Sequence, residues 1–327
     1  MKVLVTGGSG YVGSSAVYEL ADAGHQVVIY DNLSTGHRKL SAGFEFIEGD
    51  IADKQKLRPC LKGVDAVLHF AASAYVGESI VNPRKYFQNN VESALALMDA
   101  VLESDVRQFA FSSSCAVYGI PQTLPIVESS PKEPINPYGA TKLFFERVLT
   151  AYGASHGLRS VALRYFNAAG ARAGGKVGEI HNPETHLIPL AIKAALGTAQ
   201  PLKIFGSDLP TPDGTCIRDY IHVADLASAH LKALNYLAEG GASVALNLGT
   251  GKGTSIAEIL RLVEETSGRR VPHVFAPPRA GDPLVLYAEA RKANELLGWE
   301  AKNDIRQIIH DAVRWEEQLP AFLSSSV

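Results

Sequence analysis

The chain has 327 residues, 46% of them hydrophobic and 20% charged, with a formal net charge of −3. That length suits one large α/β domain with a smaller lobe, and the charge gives neither nucleic acid nor an anionic membrane a reason to bind. No apolar run approaches the ~20 residues of a membrane span, the opening Met1–Thr6 is too short for a secretory leader, and three widely spaced cysteines (Cys60, Cys115, Cys216) argue against a disulfide framework and for a reducing cytoplasm.

Taken in chain order, near-continuous apolar runs at 2–6, 26–30, 66–70, 109–113 and 160–165 predict strands of a parallel sheet buried on both faces. Helical patterns fall between them at 12–23, 91–102 and 142–152. The alternation predicts an α/β, doubly wound, Rossmann-like sheet. After Asn167 glycine and proline become frequent. A helix then reads over 187–196, a loop over 206–214, a strand and helix over 218–237, and a last helix near 304–318. The expected organisation is a dinucleotide-binding domain over 1–166 and a smaller mixed α/β substrate-binding lobe over 167–327, with 216–237 packing back on the first domain.

Residues 3–13 run Val-Leu-Val-Thr-Gly-Gly-Ser-Gly-Tyr-Val-Gly: a strand, a turn with glycines at 7, 10 and 13, then a helix. A tight turn and a close approach of backbone to pyrophosphate both require residues without Cβ. The helix start then offers unpaired N–H groups and a positive dipole end to the anion. A plain glycine-rich turn would look the same in isolation. Asp31, at the end of the second strand, adds the second half of a dinucleotide site, because a carboxylate there takes ribose hydroxyls. It also repels a 2′-phosphate, which favours NAD over NADP, and Arg38 beyond it reads as a solvated loop charge. A second glycine cluster, Gly249-Thr250-Gly251-Lys252-Gly253-Thr254, lacks both the earlier glycine and the hydroxyl after the lysine that a P-loop needs, and reads as a turn.

Asn136-Pro137-Tyr138-Gly139-Ala140-Thr141-Lys142 reads as a helix start, with Asn136 as N-cap and Pro137 where its missing N–H costs nothing. Tyr138 and Lys142 then share one face. A tyrosine beside an ammonium is a proton-transfer device. Bringing a phenol from ~10 to ~7 takes about 4 kcal/mol of differential stabilisation, which the ammonium and a cationic nicotinamide would supply by proximity. Tyr-x-x-x-Lys is common by chance. Its weight here comes from Ser112-Ser113-Ser114, which closes the preceding strand at the end where doubly wound sheets bind ligands. Ser114 either bonds a substrate hydroxyl or caps local backbone. No Gly-x-Ser-x-Gly elbow, His-Glu-x-x-His motif or clustered metal-ligand set stands out, so hydrolase and metalloenzyme readings are poor and no metal is expected.

Glycine turn, serine strand end and Tyr-x-x-x-Lys in this order resemble the extended short-chain dehydrogenase/reductase family over nearly the whole chain. Later segments resemble, more specifically, its branch that epimerises UDP-sugars at C4. They are His69-Phe70-Ala71-Ala72, Val76-Gly77-Glu78-Ser79, Arg164-Tyr165-Phe166-Asn167, Gly178-Glu179, the runs 183–189 and 213–223, Arg279-Ala280-Gly281-Asp282 and Leu297-Gly298-Trp299. The resemblance implies an isomerase that interconverts UDP-glucose and UDP-galactose. In the family, the residue matching Tyr138 takes the proton of the sugar 4-OH while hydride passes to a tightly held NAD. The 4-keto sugar then turns about its pyrophosphate and takes the hydride back on its other face. The match to Lys142 binds the nicotinamide ribose and lowers the tyrosine pKa, and that to Ser114 orients the 4-OH. Implied cofactor contacts are Gly7, Gly10, Tyr11, Val12 and Gly13 in the turn, Asp31 and Asn32 at the adenosine ribose, Asp50 and Ile51 at adenine, and Phe70, Ala71, Ala72 and Asn89 near the sheet edge. Ser112 and, beside the nicotinamide, Phe166 complete that set. Implied substrate contacts are Asn167, Leu187, Lys203, Phe205, Arg218, Arg279, Asp282 and Leu286; the arginines suit a diphosphate, which a guanidinium grips bidentately.

Some positions depart from the family pattern. Ala74 stands where some members place a lysine near the cofactor phosphates, which would loosen NAD. His186 replaces an asparagine, still a donor, with little change expected. Leu286 holds the position that gates the sugar pocket. A tyrosine there crowds a 2-acetamido group, so leucine implies some acceptance of UDP-N-acetylglucosamine, unless it merely packs. Cys115-Ala116 stands where 4,6-dehydratase relatives carry their acid and base. Competing readings are an epimerase of UDP-uronates, which needs a further cation, a net reductase exchanging NADPH, and a non-catalytic NAD sensor, which would be expected to lose Tyr138 or Lys142. Val91, Ala94, Leu95, Met98, Val101 and Leu102 repeat at helical spacing, as do Phe144, Phe145, Val148, Leu149 and Tyr152. Core packing explains most of both stripes; that family members pair these helices implies a homodimer.

Overall fold

The structure, a computed structural model, describes residues 1–278 and 283–325. Six strands come in the first half of the chain: β1 (Lys2–Thr6), β2 (Gln26–Asp31), β3 (Glu45–Glu48), β4 (Ala66–His69), β5 (Gln108–Ser114) and β6 (Arg159–Tyr165). Among the described residues these and Val244–Leu248 form one seven-stranded parallel sheet, in the order Val244–Leu248, β6, β5, β4, β1, β2, β3. The order reverses between β1 and β4, which opens a crevice at the carboxyl ends of those two strands.

Strand side chains alternate between two covered faces. Leu4, Val28, Val67 and Phe109 join Met98, Val101, Phe145 and Leu149, contributed by the helices Ala94–Leu102 and Pro137–His156. Val3, Val5, Ile29, Leu68 and Ala110 point the other way, onto Val17 and Leu20 of the helix Tyr11–Asp22 and Leu234 of the helix Val223–Ala238. Burial on both faces is why these strands read as unbroken apolar runs rather than as an alternation.

The second lobe packs the helices Leu187–Leu196, Ile256–Ser267 and Ile305–Ser324 around Ile188, Ile192, Ile259, Val263, Ile308 and Ile309. Three small sheets surround it. Leu202–Phe205 pairs with His273–Ala276; Tyr220–His222 pairs with Asn167–Ala169; Ile217–Arg218 lies between Thr254–Ser255 and Val285–Leu286.

Two strands of the main sheet escape the sequence pattern. β3, Glu45-Phe46-Ile47-Glu48, is an edge strand with exposed glutamates at both ends. Val244–Leu248 lies in the stretch assigned by sequence to the second lobe, yet it returns to pair with β6. The helix expected over 91–102 begins as a wider turn, a π-helical stretch at Gln88–Ser93 that continues into Ala94–Leu102. The Gly249–Thr254 cluster is a turn between strands: Thr250 donates its N–H (3.0 Å) and hydroxyl (2.6 Å) to Asp219.

Candidate active site

The glycine turn closes the carboxyl end of β1 against that of β4. Gly7 has φ +75°, and a Cβ there would sit 2.5 Å from the Ala71 amide nitrogen. Phe70 and Ala71 both donate their N–H groups to the Thr6 carbonyl, at 2.8 and 3.1 Å, which draws the two strand ends together. A Cβ on Gly13 would land on the Gly7 carbonyl oxygen, so the helix Tyr11–Asp22 approaches the turn as closely as backbone allows. Its N-cap is Gly10, with no side chain to satisfy the first N–H groups. The result is a cradle of backbone donors shaped for a phosphate.

Asp31 ends β2 at 7% exposure and accepts from Ser9 N–H (2.9 Å) and Leu33 N–H (2.8 Å), one on each carboxylate oxygen. Burial raises its pKa, against those two backbone bonds, which lower it. A carboxylate offers about four lone-pair sites, so acceptor capacity remains for ribose hydroxyls, and its charge opposes a 2′-phosphate. Asn32 donates to Asp50 (2.9 Å), and Ile51 is buried. Arg38 is not the solvated charge expected: half-buried, it bonds the Ser41 carbonyl (2.9 Å) and lies 4.3 Å from the Phe46 ring centre. The Tyr11 hydroxyl is committed to the Gly170 carbonyl (2.5 Å), leaving its backbone N–H as what it can offer a ligand. Glycine turn, open helix start and ribose-facing carboxylate together fit a dinucleotide of the NAD type.

Asn136 caps the helix Pro137–His156, accepting from Gly139 N–H at 2.8 Å, and so sets the rotation of Tyr138 and Lys142 toward the sheet. Both are buried, at 9% and 3% exposure, and Ser114 at the end of β5 is 8% exposed. The Lys142 ammonium donates to the Ser112 carbonyl (2.7 Å), stands 4.8 Å over the Phe111 ring and lies 5.7 Å from the Tyr138 ring centre. Burial raises the Tyr138 pKa above its ordinary value, Tyr165 adds to this, and a bond with the Ser114 hydroxyl opposes it. In the protein chain alone, then, burial favours the protonated phenol, and the lowering expected from the sequence is one that calls for a cationic nicotinamide beside it. Burial meanwhile pulls Lys142 down to about 7, with Glu146 acting to raise it. Ser114 caps local backbone, accepting from Ala116 N–H (3.1 Å), and also bonds Tyr138. The Ser112 hydroxyl pairs with that of Tyr165 (2.6 Å).

Phe70 packs on His230, with ring centres 4.6 Å apart, and Ala71 and Ala72 are half-buried beside it. Asn89 donates to Asn90 (3.0 Å) and Ser73 (3.3 Å). Phe166 is 7% exposed, in one apolar cluster with Val12 and Leu286. Asn167 donates its side-chain amide to the Asp219 carbonyl (2.9 Å), and Leu187 opens its helix. Arg218 and Leu286 are register partners on adjoining strands, and the Arg218 charge reaches Cys115, where it opposes the burial that raises that thiol to about 12. Lys203 is exposed and Phe205 half-buried on the strand Leu202–Phe205. Arg279 and Asp282 lie outside the described residues.

Three features in and around the site escaped the sequence. Asn90, 5% exposed, ties Ser73 to Thr141 of the tyrosine helix, accepting from Ser73 N–H (2.8 Å). Glu146, one turn beyond Lys142, holds Arg164 through paired bonds (Nε to Oε1, 2.9 Å), accepts from Ser113 (2.5 Å), and is joined through Arg164 to Tyr118 (2.8 Å). Finally, the fold gathers Glu179, His181, Glu184 and His186, where no metal-ligand cluster was expected. Its signal was present as the alternation Glu-x-His-x-x-Glu-x-His.

The model of the NAD dependent epimerase/dehydratase family matches residues 3–249. The chain is 49% identical over 319 residues to a UDP-glucose 4-epimerase of Rhizobium meliloti (strain 1021), covering 97% of each chain. Among solved structures, it superposes on a UDP-glucose 4-epimerase from Brucella ovis in complex with NAD at a TM-score of 0.94, with 50% identity and 96% and 97% of the two chains covered. It also superposes on a UDP-glucose 4-epimerase from Stenotrophomonas maltophila, with bound NAD and formylated UDP-arabinopyranose, at 0.95, with 40% identity and coverage of 98% and 99%.

Proposed function

This chain belongs to the NAD dependent epimerase/dehydratase family, and from that membership we propose that it is an isomerase interconverting UDP-glucose and UDP-galactose by inverting C4 of the sugar, with NAD as its resident cofactor. The observation that carries the reading is the meeting of buried Tyr138, Lys142 and Ser114 beside the glycine cradle, in a chain alike to these enzymes over nearly its whole length.

Gly7, Gly10 and Gly13, with the N–H groups of Tyr11 and Val12, would hold the pyrophosphate, and Asp31 and Asn32 the adenosine ribose. Asp50 and Ile51 would flank adenine, and Phe70, Ala71, Ala72, Asn89, Ser112 and Phe166 would frame the rest. Bound there, NAD supplies a redox partner for the sugar C4 that is regenerated in every cycle. Tyr138 takes the proton of the 4-OH and returns it, and Ser114 holds that hydroxyl in line. Burial makes a lone phenolate and a lone ammonium each costly, but side by side they stabilise one another. A charged Lys142 therefore favours the phenolate form of Tyr138, the form that can accept the 4-OH proton. Arg218 and Arg279 would grip the diphosphate, with Asn167, Leu187, Lys203, Phe205 and Asp282 around the nucleotide and sugar. Leu286, in register with Arg218, leaves more room than a tyrosine, which supports turnover of the 2-acetamido sugars as well.

Three unpaired cysteines support a reducing, cytoplasmic setting, and no helix among the described residues is long and apolar enough to cross a membrane. A homodimer is supported by the exposure of Ile80, Val81, Phe87 and Phe144 on adjoining helices.

The test is purified protein with no added cofactor, incubated with UDP-galactose and followed by NMR. UDP-glucose is the expected product, and its absence even after NAD is added overturns the reading. A parallel tube of UDP-N-acetylgalactosamine with no epimer formed, while UDP-galactose turns over, would remove the wider sugar range.

A further inference from the structure

Four donor atoms converge in the loop that leads into the helix Leu187–Leu196: one each from Glu179, His181, Glu184 and His186, all within 4.8 Å of one another. His181 Nδ1 is 2.9 Å from Glu179 Oε1 and 3.8 Å from Glu184 Oε1. His186 Nδ1 is 3.4 Å from Glu184 Oε1 and closer still to Glu179 Oε1. A tetrahedral zinc site with bonds of ~2.0–2.2 Å places its ligand atoms about 3.3–3.6 Å apart, and the observed separations bracket that spacing.

Two further observations point to a cation at this cluster. Glu179 is 4% exposed, yet its Oε1 has no hydrogen-bond partner among the described residues, and neither has His181 Nδ1, although they are 2.9 Å apart. Glu184 Oε2 and Glu316 Oε1 are likewise buried without a hydrogen bond. Buried polar atoms are rarely left so, and a cation at their common centre would satisfy them. The charges agree. Among the described residues, the Lys193 ammonium lies 4.0 Å from Glu184 and 3.6 Å from Glu316. With Glu316 beside Lys193 and the imidazoles neutral, Glu179 and Glu184 bring two negative charges, the complement of one divalent cation.

We propose that Glu179, His181, Glu184 and His186 bind a divalent transition-metal ion, zinc by their two-nitrogen, two-oxygen set, as a structural rivet distinct from the epimerisation centre. Mixed imidazole and carboxylate ligands suit zinc better than magnesium or calcium, which favour oxygen alone. All four positions are filled by protein, as in a structural rather than a catalytic site. What the ion fastens is visible in its surroundings. The ring of Tyr11, first residue of the glycine-turn helix, sits edge-on to His181 at 6.4 Å. Tyr75 is edge-on to the same histidine at 5.7 Å, and Trp315 of the terminal helix donates to the Glu179 carbonyl at 2.9 Å. One ion would thus pin the second lobe, and the start of the helix that carries Leu187, to the cofactor-binding domain.

The test is metal content, which does not depend on turnover. Holoenzyme made in zinc-supplemented medium and purified without chelator should carry about one zinc per chain by plasma mass spectrometry. His181→Ala and Glu184→Gln variants, checked for folding by circular dichroism and for bound NAD, should weaken zinc binding by more than about tenfold. Wild-type protein stripped by chelator should melt at lower temperature, and zinc chloride, but not magnesium chloride, should restore it. Cobalt chloride added to the stripped wild type should give the intense visible bands of a tetrahedral ion, a readout that needs no variant. Stripped protein that takes up neither zinc nor cobalt and melts unchanged overturns the proposal, as does zinc content unaltered in both variants.

Discussion

Tyr138 and Lys142 are each pushed toward neutrality by burial, the phenol upward and the ammonium down to about 7. Removing the phenol hydroxyl should therefore leave binding intact and abolish proton transfer. Tyr138→Phe is expected to lower kcat by about 10²–10⁴-fold, with KM for UDP-galactose and bound NAD little changed, measured by initial rates and cofactor content. His230 offers a second measurement away from the chemistry. It is fully buried, its Nδ1 is 2.7 Å from the Leu226 carbonyl, and burial holds its pKa to about 4, below the ordinary 6.5. Between those values the unfolded chain binds a proton that the fold refuses. The stability associated with neutral His230 is thus fully present above about pH 6.5 and is lost as pH falls toward 4. His230→Leu should flatten the acid limb of the urea stability curve by up to about 1.4 kcal/mol per pH unit; an unchanged slope would mean that another group controls it. Tyr138, Lys142 and Asn136 were legible because their relation is local, one turn of one helix. Asn90 and the Glu146–Arg164 pair were not, because each joins residues distant in sequence.

Among the elements, the glycine turn has the least tolerance. A methyl group on Gly13 meets the Gly7 carbonyl oxygen, backbone against backbone, with no flexible side chain to give way. Gly13→Ala should therefore part the helix Tyr11–Asp22 from β1, and protein purified from this variant should retain several-fold less NAD by absorbance of the released cofactor. The helix carrying Tyr138 is fixed to β6 differently, by an ion pair whose side chains are 8% (Glu146) and 4% (Arg164) exposed. Removing one partner of such a pair costs about 3–5 kcal/mol, whereas replacing both with apolar residues is far milder. In urea unfolding, Arg164→Met should lose that amount, and Glu146→Leu combined with Arg164→Met should recover much of it. Helix starts were legible where the caps are chemical, as at Asn136. The edge strand Glu45-Phe46-Ile47-Glu48 was not, because four residues with charged ends give a periodicity argument too little to work on.

Taken whole, the molecule keeps most of its apolar surface inside, but Ile80, Val81, Phe87 and Phe144 remain 44–86% exposed. They sit on the short helices Val76–Val81 and Pro83–Phe87 and on Pro137–His156, against which both short helices pack. Much of the stripe read from sequence, Ala94, Met98, Val101, Phe145 and Leu149, is core, as core packing was expected to explain, and Phe144 is the member of that pattern facing out. Light scattering at micromolar concentration should give twice the 35.0 kDa chain mass, and Val81→Glu combined with Phe144→Glu should halve it; a wild-type monomer would remove the dimer. Doubly wound order was legible from strand–helix alternation, whereas the return of Val244–Leu248 to the sheet was not, since nothing local in those five residues says which edge they seek. That return has a consequence for inheritance. The chain leaves the cofactor domain after β6, builds part of the second lobe, comes back to lay the helix Val223–Ala238 and the last strand on the first domain, and departs again. No single crossover point separates the two lobes. A recombination joint near residue 166 would deliver a sheet stripped of its edge and of one covering helix, so exchange of the lobe as a cassette would break the first domain, whereas substitution within the lobe would leave it whole.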